Sequence, residues 1–104
     1  MRDQTKQHLD RLQATMQRLN LWQAMPPAAE AFLSEQPFSL DTMQPEEWLQ
    51  WVFIPRMHAL LESGAALPNQ IAISPYLEEA MKEFDDLELL LAPLIELEEL
   101  LQNQ

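Results

Sequence analysis

His58 and Glu62 stand four residues apart, a spacing that puts an imidazole and a carboxylate on one face of a helix. Together they make half of a metal site at most. Di-iron carboxylate bundles need Glu-x-x-His on two helices, and the residues three before His58 and His8 are Pro55 and Thr5. A histidine satisfied by a neighbouring carboxylate is the plainer reading. Glu79 with Glu83, and Glu96 with Glu99, set carboxylates along helix faces. Such pairs divide acid and base roles only when burial separates their pKa values, and a segment this acidic is better explained as a solvated outer face. The serines at 34, 39, 63 and 74 lie in no nucleophile elbow, and one glycine cannot build a phosphate loop. The lack of cysteine excludes thiolate catalysis and Cys-based zinc. The sequence points to a non-catalytic protein without a cofactor or metal; the enzymatic alternative is a small pocket around His58.

The formal net charge is −11 and it is unevenly spread. Residues 1 to 20 hold Arg2, Lys6, Arg11 and Arg18 against Asp3 and Asp10, whereas residues 62 to 104 hold ten carboxylates against Lys82 alone. Phosphate backbones and anionic bilayers call for basic patches, so direct binding to nucleic acid or membrane is disfavoured. A basic partner is electrostatically reasonable, although acidic bulk charge commonly serves only solubility. The N-terminus, MRDQTKQHLDRL, is too polar for a signal peptide, and no apolar run approaches the ~20 residues that span a bilayer. With no cysteine, the composition suits a reducing compartment, and the expectation is a soluble cytoplasmic protein. One helical domain over residues 1–104 is expected, burying roughly 65% of its unfolded surface.

The elements that position these residues are punctuated by proline. Leu9, Leu12, Met16, Leu19 and Trp22 recur at three and four, predicting an amphipathic helix over residues 4 to 22. Pro26-Pro27 opens a short second helix through Ala28–Ser34, with Ala29, Phe32 and Leu33 as its inner edge. An extended connector over 36–40 then brings Phe38 and Leu40 to the core. Asp41 or Gln44 starts a third helix; with Gln44 as its cap Pro45 falls at the first position, and Ser63-Gly64 closes it. Ser74-Pro75 starts a helix running to about Phe84. A last helix follows Asp86, its leucines facing the bundle and a kink expected at Pro93. The fold class is all-α: a small compact bundle of four to five helices around a buried, proline-kinked central helix.

The run EEWLQWVFIPRMHALL, residues 46 to 61, concentrates the largest apolar side chains. A helix that is apolar nearly all round is buried, or it docks something on its second face. Pro55 removes an amide from its centre and leaves the Trp51 carbonyl without its usual donor. An ordinary bend around the core accounts for this; the functional reading is a groove lined by Trp51, Arg56 and Met57. Aromatic, methionine and arginine side chains are enriched at binding hot spots.

Pro37-Phe38, Asp41-Thr42-Met43, Glu47-Trp48-Leu49-Gln50-Trp51-Val52, Ile54-Pro55-Arg56-Met57 and Pro75-Tyr76 resemble the YqcC family of small bacterial proteins. The resemblance extends over nearly the whole chain. It implies an all-helical bundle, and, because genes of that family commonly neighbour or are fused to the gene for tRNA pseudouridine synthase C, an accessory partner of that enzyme; the family block is then the docking surface, with Trp48, Gln50, Trp51, Arg56 and His58 as the candidate partner-binding residues. Two other readings stay open. The acidic stretch Glu78–Glu99 could mimic nucleic acid toward a basic enzyme, and the apolar surface of the central helix could pair two copies into a homo-oligomer.

Overall fold

Thr5, Leu9, Leu12 and Met16 form the fully buried stripe of α1 (Arg2–Arg18) in the computed structural model, which describes residues 2–103. Asn20 decides where that helix stops. Its backbone is left-handed (φ 62°), and the Leu21 amide donates to the Met16 carbonyl at 2.8 Å, the six-to-one bond of a Schellman cap. The expected run to residue 22 therefore ends at Arg18, while Leu19 and Trp22 still pack against the core.

Two short 3₁₀ turns, Ala29–Leu33 and Pro37–Ser39, occupy the stretch before the central helix. The predicted inner edge of the first faces outward, with Phe32 43% and Leu33 77% exposed. Five residues of 3₁₀ turn give no continuous stripe to bury. Leu40 is exposed as well, so only Phe38 of the expected pair packs on the core.

The central helix begins as read, with Gln44 before Pro45 and the Gln44 amide donating to Glu47 Oε1 at 2.8 Å. It comprises α2 (Pro45–Trp48), a π-helical turn (Leu49–Phe53) and α3 (Ile54–Ser63). In the π turn the Ile54 amide donates five residues back, to Leu49. The widened turn lies immediately before Pro55, whose ring would collide with the carbonyl of Trp51 in a regular helix. Gly64 closes α3 at φ 72°, and a long-range cap joins it. Arg2, at the start of α1, donates to the carbonyls of Leu60 (2.7 Å), Leu61 (3.0 Å) and Ala65 (3.0 Å). A guanidinium there complements the negative end of the helix dipole.

Helix α4 (Ser74–Ala80) is shorter than expected, ending before Phe84. Its N-terminus is capped from α5 (Leu87–Gln102) rather than by its own serine. Buried Glu98 accepts from the amides of Ile73 (2.6 Å) and Ser74 (2.9 Å) through one oxygen, and from the Ser74 hydroxyl (2.6 Å) through the other. Helix α5 runs through Pro93 as one helix, and α1 lies along it. Leu90, Leu91, Leu94, Leu97 and Leu101 join the α1 stripe in one cluster with Leu49, Phe53, Ile54 and Met57. Arg11 of α1 pairs with Glu96 of α5 across the rim. The result is an all-α bundle of four helical rods with no strand among the described residues, and no helix is long and apolar enough to cross a membrane.

Candidate docking groove

The central helix turns Leu49, Phe53, Ile54 and Met57 into the core and leaves the other side of its girth only partly covered. Trp48 and Trp51 are both half-buried, and Arg56 is exposed. Two lobes of one groove meet here. The first, about 470 Å³, lies between α3 and the 66–73 segment and is lined by Phe53, Met57, Leu60, Leu67, Pro68 and Ile71. The second, about 510 Å³, lies between the π turn and the 32–39 segment; it is more polar, lined by Ser34, Gln36 and Ser39 as well as Phe32, Pro37, Trp51 and Val52. Phe38, Trp48 and Arg56 line both.

Phe38, common to both lobes, has an unusual conformation. Its φ of 59° and that of Ser39 (48°) put two consecutive non-glycine residues in the left-handed region. Such backbone costs on the order of 1–3 kcal/mol per residue and persists only where surroundings over-determine it. The surroundings are aromatic: Phe38 meets Trp48 edge-on at 5.0 Å between ring centroids and stacks on Tyr76 at 4.3 Å. Trp48 in turn stacks on Phe53 at 5.7 Å. Sequence reading marked Phe38 as a core plug and missed it as a groove wall, because positive φ at phenylalanine has no sequence signal.

The five sequence-predicted residues divide. Trp48, Trp51 and Arg56 come together at the groove. Gln50, 3% exposed, turns inward and clasps the backbone of Gln23, accepting from its amide and donating to its carbonyl, both at 2.8 Å. The Trp51 indole N–H donates to the Gln23 side chain at 3.3 Å. The π turn and the 19–44 segment are thus pinned together. His58 lies apart, on a cleft of about 370 Å³ with Arg2, Asp3, Lys6, Leu61 and Glu62. No ion pair joins His58 to Glu62 among the described residues. Nor does any group of three or more His, Cys, Asp or Glu among them have the arrangement to hold a metal ion.

The acidic side is solvated. Glu78, Glu79, Glu83, Asp85, Asp86 and Glu88 are exposed, and Lys82 pairs with Glu79 at 3.5 Å. Glu46, beside the stacked Tyr76, is the carboxylate whose surroundings disfavour its charge. Desolvation raises its pKa, its own backbone hydrogen bond pulls the other way, and Glu47 adds repulsion. Burial and Glu46 likewise push the Tyr76 hydroxyl up. Because the folded state of Glu46 holds its proton to higher pH than the unfolded chain, stability falls as pH rises through that window. Glu46→Gln is therefore expected to be more stable than the parent at about pH 7 and to lose that advantage by about pH 3. Urea midpoints at both pH values check this.

The fold and groove define a small all-helical bundle with an aromatic–arginine trough. The DUF446 family, described as tRNA pseudouridine synthase C, matches residues 4–100. The chain belongs to this family, whose YqcC-like members it resembles in sequence and structure. An uncharacterized protein of Haemophilus influenzae is 78% identical over 103 residues, covering 99% of this chain and 97% of its own. The uncharacterized protein YqcC of Escherichia coli is 44% identical over 79 residues, 76% of this chain and 72% of that one. The solution NMR structure of E. coli YqcC superposes with a TM-score of 0.85 at 40% identity, covering 96% of this chain and 86% of that one. A tRNA pseudouridine synthase C of Pectobacterium carotovorum contains a segment 58% identical over 67 residues, 64% of this chain but 18% of the synthase.

Proposed function

We propose that this protein is a non-catalytic accessory module of tRNA pseudouridine synthase C, docking on the enzyme through the groove around Trp48, Trp51 and Arg56. One observation carries the reading: a segment 58% identical to this chain occupies 18% of a chain named tRNA pseudouridine synthase C. A module joined covalently to an enzyme in one chain has a reason to meet it non-covalently in another. At −11, the module does not grip tRNA by itself; it holds or positions the enzyme that does. Its place of work is the cytoplasm, with the synthase.

The acidic face supports a second reading, mimicry of nucleic acid toward a basic synthase surface. Salt separates the two. Calorimetric titration of the intact chain into the cognate synthase is expected to give an affinity nearly constant between about 0.1 and 0.5 M salt, because apolar burial is not screened. Affinity falling steeply over that range assigns binding to the acidic face instead. No heat and no co-migration at any salt concentration would remove the accessory reading altogether.

A further inference from the structure

We infer that the groove's occupant is an apolar segment of the synthase that carries one carboxylate, seated so that the carboxylate meets Arg56. The inference rests on the accessory reading and adds the chemistry of the contact. Of all the residues lining the two lobes, Arg56 alone is charged. The positions three and four away on its own helix are Val52, Phe53, Ala59 and Leu60, so no carboxylate of the helix can reach it. It forms no ion pair among the described residues, in a chain with 17 carboxylates and only 6 lysines and arginines.

The other cations differ. Lys6, Arg11 and Lys82 each face a carboxylate, and Arg2 caps α3; Arg18, which also forms no ion pair among the described residues, lines a cleft with Ala14, Leu89 and Pro93 that has no aromatic wall. An unanswered guanidinium beside aromatic walls is a fork for a planar carboxylate, and the apolar first lobe beside it lowers the local dielectric that such a pair would feel. The walls are already built: the aromatic contacts hold Phe38 in its left-handed conformation before any partner arrives. A preformed groove reduces the ordering cost of binding. A basic segment would be repelled by Arg56 at the contact itself. A nucleic-acid strand would find one cation within a field of −11.

Titration of the intact synthase with the parent chain, Arg56→Ala, Arg56→Lys and Arg56→Glu tests this, with circular dichroism verifying that each exposed-site variant folds. The expected order is parent, then Lys weaker by about fivefold, Ala by about tenfold and Glu by at least about thirtyfold. Parent binding that survives Arg56→Glu unchanged would overturn the inference and leave the accessory reading standing. If the parent itself does not bind the synthase, that reading fails, and selection of random 16-residue segments displayed against the intact chain decides the groove separately. Enrichment of segments with two apolar anchors and a carboxylate, lost on Arg56→Glu, supports the contact chemistry. Enrichment of basic segments, or none, overturns it, as does sedimentation showing a dimer that Arg56→Glu dissociates, since the occupant would then be a second copy.

Discussion

Replacing Glu98 with alanine is expected to cost about 3 kcal/mol of folding free energy, because three buried donors lose a charged acceptor together. The amides of Ile73 and Ser74 and the hydroxyl of Ser74 all point at this carboxylate, and all three residues are buried. Alanine leaves the donors dry and unanswered; the return from no longer burying a charge offsets only part of that loss. At this chain length, a loss of that size lowers the thermal midpoint by roughly 12–20 °C. The comparison is Glu96→Ala on the same helix, where a solvent-facing pair with Arg11 contributes about 0–1 kcal/mol. Equal midpoints for the two variants would show that the buried cap does not hold α4.

Phe38→Ala is expected to destabilise by about 2 kcal/mol, two aromatic contacts at about 0.5–1.5 kcal/mol each being lost. The glycine variant separates the ring from the backbone. At φ 59° glycine escapes a steric penalty that alanine still carries, so Phe38→Gly is expected to be about 1 kcal/mol more stable than Phe38→Ala. Chemical denaturation of the two proteins checks the order. An alanine variant more stable than the glycine variant would mean that the left-handed backbone is absent. Both variants remove a wall that the two lobes share, so both are expected to bind the synthase at least about tenfold more weakly, whichever is the more stable.

The helix boundaries written by proline and glycine were legible. Gln44-Pro45 and Ser63-Gly64 each carry a local capping preference that survives packing, whereas at Ser74-Pro75 only the steric preference of proline does. Asn20 was the overlooked stop, since asparagine takes the left-handed cap less often than glycine and the apolar spacing continued past it to Trp22. The two long-range caps, Arg2 on α3 and Glu98 on α4, could not come from local pattern. One hint was available: Glu98 falls four residues after Leu94 and three before Leu101, on the apolar stripe, where a charge must find a partner.

The groove was half legible. Excess apolar girth around Pro55 marked Trp48, Trp51 and Arg56 as candidates for exposure. Gln50 and His58 enter with the family block and not by girth; the structure turns Gln50 inward and sets His58 on a separate cleft beyond the π turn. An added residue in one turn rotates everything beyond it, and that rotation is set by the collision between Pro55 and the preceding carbonyl rather than by any side-chain pattern. The outward 3₁₀ turn, with Phe32 and Leu33, was expected in the core because apolar residues were assigned inward by type.

Amide hydrogen exchange of the chain, alone and saturated with the synthase, tests the central claim most directly. Slowed exchange confined to residues 32–40, 48–60 and 66–73 is the predicted result, with the acidic 78–99 region unchanged. Slowing confined to the acidic region, or no slowing anywhere in a demonstrated complex, would contradict it.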